Sequence, residues 1–404
     1  MPVEYRAITA DEFGELLEMD RVGFGQAPRK AGTPDSWARG ELERTRVAFD
    51  QGAVVGAGRN YSFELTVPGG ALLPAAAVSW VSVLATHRRR GILTGVIDAL
   101  HTDARERGEP VAILTASESV IYGRFGYGIA AWRLGMSVER AHARFLRDAT
   151  DDGSVRFVED DESLKLFPPV YDIARRQRHG MVTRPDYWWP EVMHWLADEF
   201  SPTFRVVHEN RDGEVDGFAM YGLKGEWERG ISTRKLLVID LQSTNSDARE
   251  ALWRFLIGVD LVHTVSAGNV PVDEPLRLML ADPRRARVDY VNDGLWLCVL
   301  DEAAALRART YGRDDRIVLD VHRPDGTTGR FELDGGSGGA TCDATSSPAD
   351  IALGTAQLGA VYLGGVSFTE LHDASLIDEV TPGAIARADA MFATVPAPAM
   401  TTGF

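Results

Sequence analysis

The chain has 404 residues, 45% of them hydrophobic and 25% charged, and a formal net charge of -16. That length exceeds what one compact core supports and predicts two or three domains. The acid excess argues against nucleic acid as a partner, because phosphate binding needs a basic field; it would attract a cationic substrate or simply serve solubility. No apolar run reaches the roughly twenty residues that span a membrane. Cys298 and Cys342 have no His or Cys at metal spacing, so a disulfide framework, a metal site and a thiol nucleophile are all unexpected. The start MPVEYRAITADEF has no basic or apolar leader, which places the chain in the cytoplasm, with export by a leaderless route left open.

In chain order, residues 1–150 read as a first α/β block. A strand over 3–8 leads to Thr9 and Glu12 at capping-box spacing, then Phe13, Leu16 and Leu17 at helical spacing. Strands follow over 46–49, 53–58, 61–67 and 75–84, then an amphipathic helix carrying Ile92, Val96, Ile97 and Leu100, then a strand over 111–115. The acidic stretch 148–162 reads as a linker. In a second block, 151–285, Asp212-Gly213 marks a hairpin, and strand 235–241, helix 246–256 and strand 262–267 repeat the order of the first block. The junction 241–248 lacks an Arg-x-x-Gly element, so no second active site is expected. A third block, 286–404, carries strands over 295–300, 316–321 and 329–333, a loop over 334–347, helices over 349–358 and 384–392, and a Pro-containing tail.

The informative stretch is VSVLATHRRRGILTGVIDAL, residues 81–100, where a strand passes through a basic Gly-containing loop straight into a helix. Free N–H groups at the helix start, the macrodipole and a glycine make an anion site, and Arg88, Arg89 and Arg90 add hydrogen-bonding charge. Taken alone the three arginines read as a solvated run; the strand-loop-helix context favours phosphate. Neither the dinucleotide nor the P-loop glycine pattern is present.

Arg88-x-x-Gly91-x-Leu93 resembles the Arg/Gln-x-x-Gly-x-Gly/Ala pyrophosphate signature of GNAT acetyltransferases, with Leu93 in place of the small residue. Tyr122-x-x-x-Gly126-Tyr127 resembles the element that follows the next strand in that superfamily. Together with the length and the terminal Phe404, VSVLATHRRRG and SESVIYGRFGYG resemble the Eis (enhanced intracellular survival) family of actinobacterial acetyltransferases over the whole chain. The resemblance implies two fused GNAT-like domains with mixed sheets, the second degenerate, then a sterol-carrier-like α/β domain, assembled as a homohexamer.

It also implies an acetyl-CoA-dependent N-acetyltransferase without a metal. Val81, Ser82 and Val83 would align the pantetheine arm, and the 88–94 loop and helix start (Arg88, Arg89, Arg90, Gly91, Ile92, Leu93, Thr94) would hold the pyrophosphate. Ser117 and Glu118, read at a strand-to-helix junction, would add cofactor contacts; Ser117 also reads as a helix cap. Tyr122 is the expected general acid, or else an aromatic packed beside the glycines, and the terminal carboxylate of Phe404 the expected base. Phe24, Trp37 and Trp80 would line the acceptor site, or else belong to the core. The implied acceptors are aminoglycosides acetylated at more than one amine; polyamines and lysine side chains remain open. A lipid-binding or scaffold protein with a vestigial transferase site is the reading from another class.

Overall fold

The computed structural model describes residues 3–27, 40–149 and 152–404, which fall into two compact units. The first holds residues 1–131, 295–395 and 403–404, and the second 132–294 and 396–402. Among the described residues no helix is long and apolar enough to cross a membrane.

The first unit opens with β1 (Glu4–Ala7), α1 (Phe13–Gly23), β2 (Thr45–Asp50), β3 (Ala53–Thr66), β4 (Leu72–Val83), α2 (Ile92–Glu106), β5 (Val111–Leu114) and the start of β6 (Gly128–Glu139). The helix begins at Phe13 rather than at Thr9 or Ala10; the residues before it form a turn in which the Glu12 carboxylate accepts from the Thr9 N–H and hydroxyl, each at 2.9 Å, and from Arg6. The two strands expected over 53–67 are one long strand, β3. Its alternation buries both faces, as a central strand requires. One face meets α2, where Val96, Ile97 and Leu100 pack with Ala76, Val78 and Ala112. The other meets α1, where Phe13, Leu16 and Met19 pack with Val47, Phe49 and Ala57. Arg44, wholly buried, ties β2 to the end of α2 through Asp103 at 3.0 Å and Glu109 at 2.5 Å. Losing Arg44 would strand the buried Glu109 carboxylate, at a cost of about 3–5 kcal/mol, whereas Asp103 would keep Arg46 at 2.7 Å.

The second unit continues β6 and adds β7 (Ser154–Phe157), α3 (Asp160–Arg176), α4 (Trp188–Glu199), β8 (Thr203–Glu209), β9 (Val215–Lys224), the short hairpin β10 (Trp227–Glu228) and β11 (Ile231–Ser232), β12 (Lys235–Ser243), α5 (Ser246–Gly258), β13 (Thr264–Pro271) and the first part of β14 (Ala286–Val299). Its sheet runs β6-β13-β12-β9-β8-β7. The stretch expected to be a linker instead contains β7 and the start of α3, whose acidic first turn, Asp160 to Glu162, complements the helix dipole.

The rest of the first unit begins with Leu295–Val299 of β14, which pair with β5 in the order β1-β2-β3-β4-β5-β14. A five-stranded sheet follows, β17-β16-β15-β18-β19, from β15 (Asp315–His322), β16 (Thr328–Gly336), β17 (Gly339–Ala344), β18 (Ile351–Gly354) and β19 (Asp378–Glu379). The loop expected over 334–347 is the end of β16 and all of β17. The helix expected over 349–358 is split, with β18 preceding a helix at Thr355–Val361. The helix expected over 384–392 is present, at Ala384–Phe392. Cys298 and Cys342 are both free and buried.

Candidate active site

The site follows from what β4 does after it leaves its neighbour. β4 and β5 run parallel but pair only over Ala75–Ala77 and Val111–Ile113. Beyond that point β4 continues to Val83 with no ladder partner on that side among the described residues, which leaves its backbone groups open to a ligand. On its other side the β3–β4 register shifts, so that Ala57 faces Ser82 while Arg59 faces Ser79. Trp80 lies in this bulge with φ of 55°, a left-handed conformation that a bulky residue adopts only where its surroundings enforce it.

Val81, Ser82 and Val83 therefore lie on the part of β4 that β5 does not pair with, and the chain leads from it through a loop into α2. Arg89 has φ of 61° and Gly91, at the helix N-cap, φ of 78°. A Cβ on Gly91 would meet nothing within 4 Å, and no side chain caps the helix, so the first N–H groups of α2, those of Ile92, Leu93 and Thr94, have no side-chain partner. Arg90 pairs with Asp50 at 2.8 Å, while Arg88 and Arg89 are exposed and make no ion pair among the described residues. The backbone nest and two available guanidiniums suit a diphosphate. His87 sits against Asp50 at 3.5 Å and Thr86 at 2.8 Å, beside this loop.

Tyr122 follows β5 and is 6% exposed, packed in the cluster of Ile92, Val96 and Leu114 with its ring edge-on to Tyr127 at 5.9 Å. Burial, and then the nearby Glu118 carboxylate, push its phenol up to about 12. The hydroxyl has no hydrogen-bond partner among the described residues, in contrast to Tyr127, whose hydroxyl meets His101 Nε2 at 2.9 Å. Ser117 and Glu118 are exposed in a bend, and no regular helix follows, only a 3-10 turn at Gly123–Phe125. The strand-to-helix junction expected there is thus a strand-to-loop junction, and Ser117 caps nothing.

On the α1 face, the Ser82 hydroxyl lies 3.3 Å from Asp20 Oδ1 and 3.5 Å from Met19 Sδ, brought close because Gly23 lets α1 approach. The Arg59 guanidinium stands over the rings of Trp80 at 5.3 Å and Tyr61 at 5.5 Å. Next on this face of β3 is Phe63, and against it, edge to face at 5.4 Å, lies the ring of Phe404. Phe24, 46% exposed, ends α1; Trp37 falls outside the described residues. The sequence reading missed Asp20, Arg59, Tyr61 and Phe63. The period-two row Arg59, Tyr61, Phe63 was a visible signal, whereas Asp20 looked like any polar helix residue.

Residues 4–130 match an acetyltransferase (GNAT) domain, 180–307 a second acetyltransferase (GNAT) domain, and 303–401 a sterol carrier protein domain. Domains of the GNAT type take their acetyl group from acetyl-CoA. The chain is 39% identical over 415 residues to an uncharacterized N-acetyltransferase of Streptomyces griseus, covering 98% of each. It is 37% identical over 354 residues to the N-acetyltransferase Eis of Mycobacterium tuberculosis, covering 84% of this chain and 83% of that one. The crystal structure of Eis1 from Mycobacterium abscessus superposes with a TM-score of 0.88 at 34% identity, over 99% of this chain and 100% of that one. The chain belongs to the Eis family of GNAT N-acetyltransferases.

Proposed function

We propose that the chain acetylates primary amines of aminoglycosides, at more than one position, with acetyl-CoA as donor. What supports the placement of the donor is the stretch of β4 beyond Ala77 that β5 leaves unpaired, followed by the uncapped start of α2. In this reading Val81, Ser82 and Val83 hold the pantetheine arm and a backbone N–H of that run polarises the thioester carbonyl. Arg88, Arg89 and Arg90, with the N–H groups of Gly91 to Thr94, hold the diphosphate; Ser117 and Glu118 add contacts beyond β5.

The neutral amine attacks the carbonyl carbon and the C–S bond breaks. Tyr122 gives its phenolic proton to the departing thiolate, and the carboxylate of Phe404 takes the proton that the amine loses. Burial suits Tyr122 to this task, since it keeps the phenol protonated at any physiological pH. The acceptor lies on the α1 face, where Asp20 supplies charge and Trp80 and Phe24 supply aromatic walls for a polycation; Trp37 is assigned to the acceptor site by the family resemblance alone. The working domain limits are 1–150, 151–285 and 286–404, and the assembly is a homohexamer, which light scattering would verify.

The test is release of CoA thiol from acetyl-CoA with a multi-amine aminoglycoside, with spermidine and with a lysine peptide in parallel. Fastest release with the aminoglycoside, and products carrying two or more acetyl groups by mass, are expected. A preference for spermidine or the peptide would move the acceptor to those amines. Undetectable release with all three, and no thermal stabilisation by acetyl-CoA, would favour a lipid-binding or scaffold role.

A further inference from the structure

In the second unit, too, a parallel pairing stops before its strand ends, but no phosphate loop follows. β12 pairs in parallel with β13 over Lys235–Val238, and a register shift against β9 follows between Val238 and Asp240. The turn into α5 is only residues 244–245, and the Asn245 side chain accepts the Ala248 N–H at 2.8 Å, so the helix start is closed by the chain itself. Beside the free end of β12 lies a cavity of about 390 Å³ whose walls include Asp240, Gln242 and Arg178, together with Pro396 and Thr401 from the final segment.

That segment is held along its length. The Ala397 N–H donates to Asp273 at 2.9 Å, Arg178 donates to the Ala397 carbonyl at 2.8 Å, and the Ala399 N–H donates to the His179 carbonyl at 3.1 Å. Gly180 permits the approach, since a Cβ there would come within 2.7 Å of the Ala399 oxygen. Gln242 Nε2 donates to Thr401 Oγ1 at 3.0 Å. Thr402 is 1% exposed. Tyr171 gives its hydroxyl proton to the Val182 carbonyl at 2.7 Å, so Thr402 must donate to Tyr171, at 2.7 Å, and accept from Arg184 Nε at 3.0 Å. Arg184 is itself fixed by Asp240 at 2.6 Å and by the rings of Tyr171 and Trp188, at 3.9 and 4.3 Å.

Ordering this segment costs about 1–2 kcal/mol per residue, and the matched, charge-assisted network around the buried Thr402 hydroxyl offsets that cost. We propose that the second GNAT-like domain serves as a receptor for the chain's own segment 396–402, and that Thr402, gripped by Arg184 and Tyr171, is a positioning residue for Phe404. The proposal rests on the reading of Phe404 as the proton acceptor. A single residue, Gly403, separates Thr402 from Phe404, and so short a tether from a fixed Thr402 limits the spread of positions open to the Phe404 carboxylate.

The experiment uses the full chain as T402V and T402S, with a third protein lacking Phe404. Amide hydrogen exchange over 397–404 is measured beside kcat and the KM for acetyl-CoA. Valine keeps the shape and removes both hydrogen bonds. T402V is expected to exchange at least about tenfold faster and to lose about tenfold in kcat at unchanged KM, while T402S restores both values. Native exchange in T402V would overturn the receptor role. Faster exchange at native kcat, with turnover still abolished by loss of Phe404, would overturn the positioning role alone. Undiminished turnover without Phe404 would refute the reading of Phe404 and the positioning role with it.

Discussion

The ring of Phe404 meets the ring of Phe63 edge to face, at 5.4 Å and 83°. Phe63 is 4% exposed on β3, in the same row as Tyr61 and Arg59, so the contact brings residue 404 to the face of the sheet that α1 also covers. An edge-to-face pair is worth about 0.5–1.5 kcal/mol beyond the area it buries. F63L should therefore lower kcat several-fold, leave acetyl-CoA affinity unchanged, and cost about 1 kcal/mol of stability by denaturant titration.

Tyr122 is proposed to act through its hydroxyl alone, and its ring packs against Tyr127 whatever the chemistry. Y122F should then lower kcat by about 100-fold or more without weakening acetyl-CoA binding measured by calorimetry. The phenol is the donor below its pKa and is lost above it. With that pKa pushed up to about 12, this group should give the native kcat profile no alkaline limb below about pH 10. A fall centred near the ordinary tyrosine value would show that the phenol is not held protonated by burial.

Gly91 has φ of 78° with open space where a Cβ would point, so an alanine there is strained by the backbone and not by a clash. G91A should cost about 1–2 kcal/mol in the unliganded protein, and the added methyl would also stand where the diphosphate is proposed to approach. Stabilisation by acetyl-CoA in a thermal melt should shrink accordingly.

His101 is buried against Tyr127, and burial, with Arg105 nearby, lowers its pKa from 6.5 to about 3. Its folded value lies below the unfolded one, so the neutral ring costs nothing above about pH 6.5, and stability drains away as pH falls from there toward about 3. H101Q should flatten that acid limb of the stability curve, by a few kcal/mol at its foot, in urea titrations at stepped pH.

Where local chemistry determined structure, the sequence was readable. The run from Val81 to Leu100 declared its strand, loop and helix because hydrophobic period and loop composition both change at His87 to Gly91. Asp160–Arg176 went unread because its acidic start looked like a linker and Pro168-Pro169 looks like a break. β17, with its Gly, Ala and Thr content, reads as a loop until β16 pairs with it. The bulge at Trp80, the Asp20–Ser82 contact and the grip on Thr402 depend on register or on residues more than sixty positions apart, which no local pattern records.

Everything proposed for the catalytic site depends on acetyl-CoA lying along the stretch of β4 that β5 leaves unpaired. Amide hydrogen exchange with and without acetyl-CoA tests this directly. Slowed exchange over residues 81–94, with residues 239–249 unchanged, is the predicted result. Unchanged exchange over 81–94 at saturating acetyl-CoA, or slowing confined to 239–249, would contradict it.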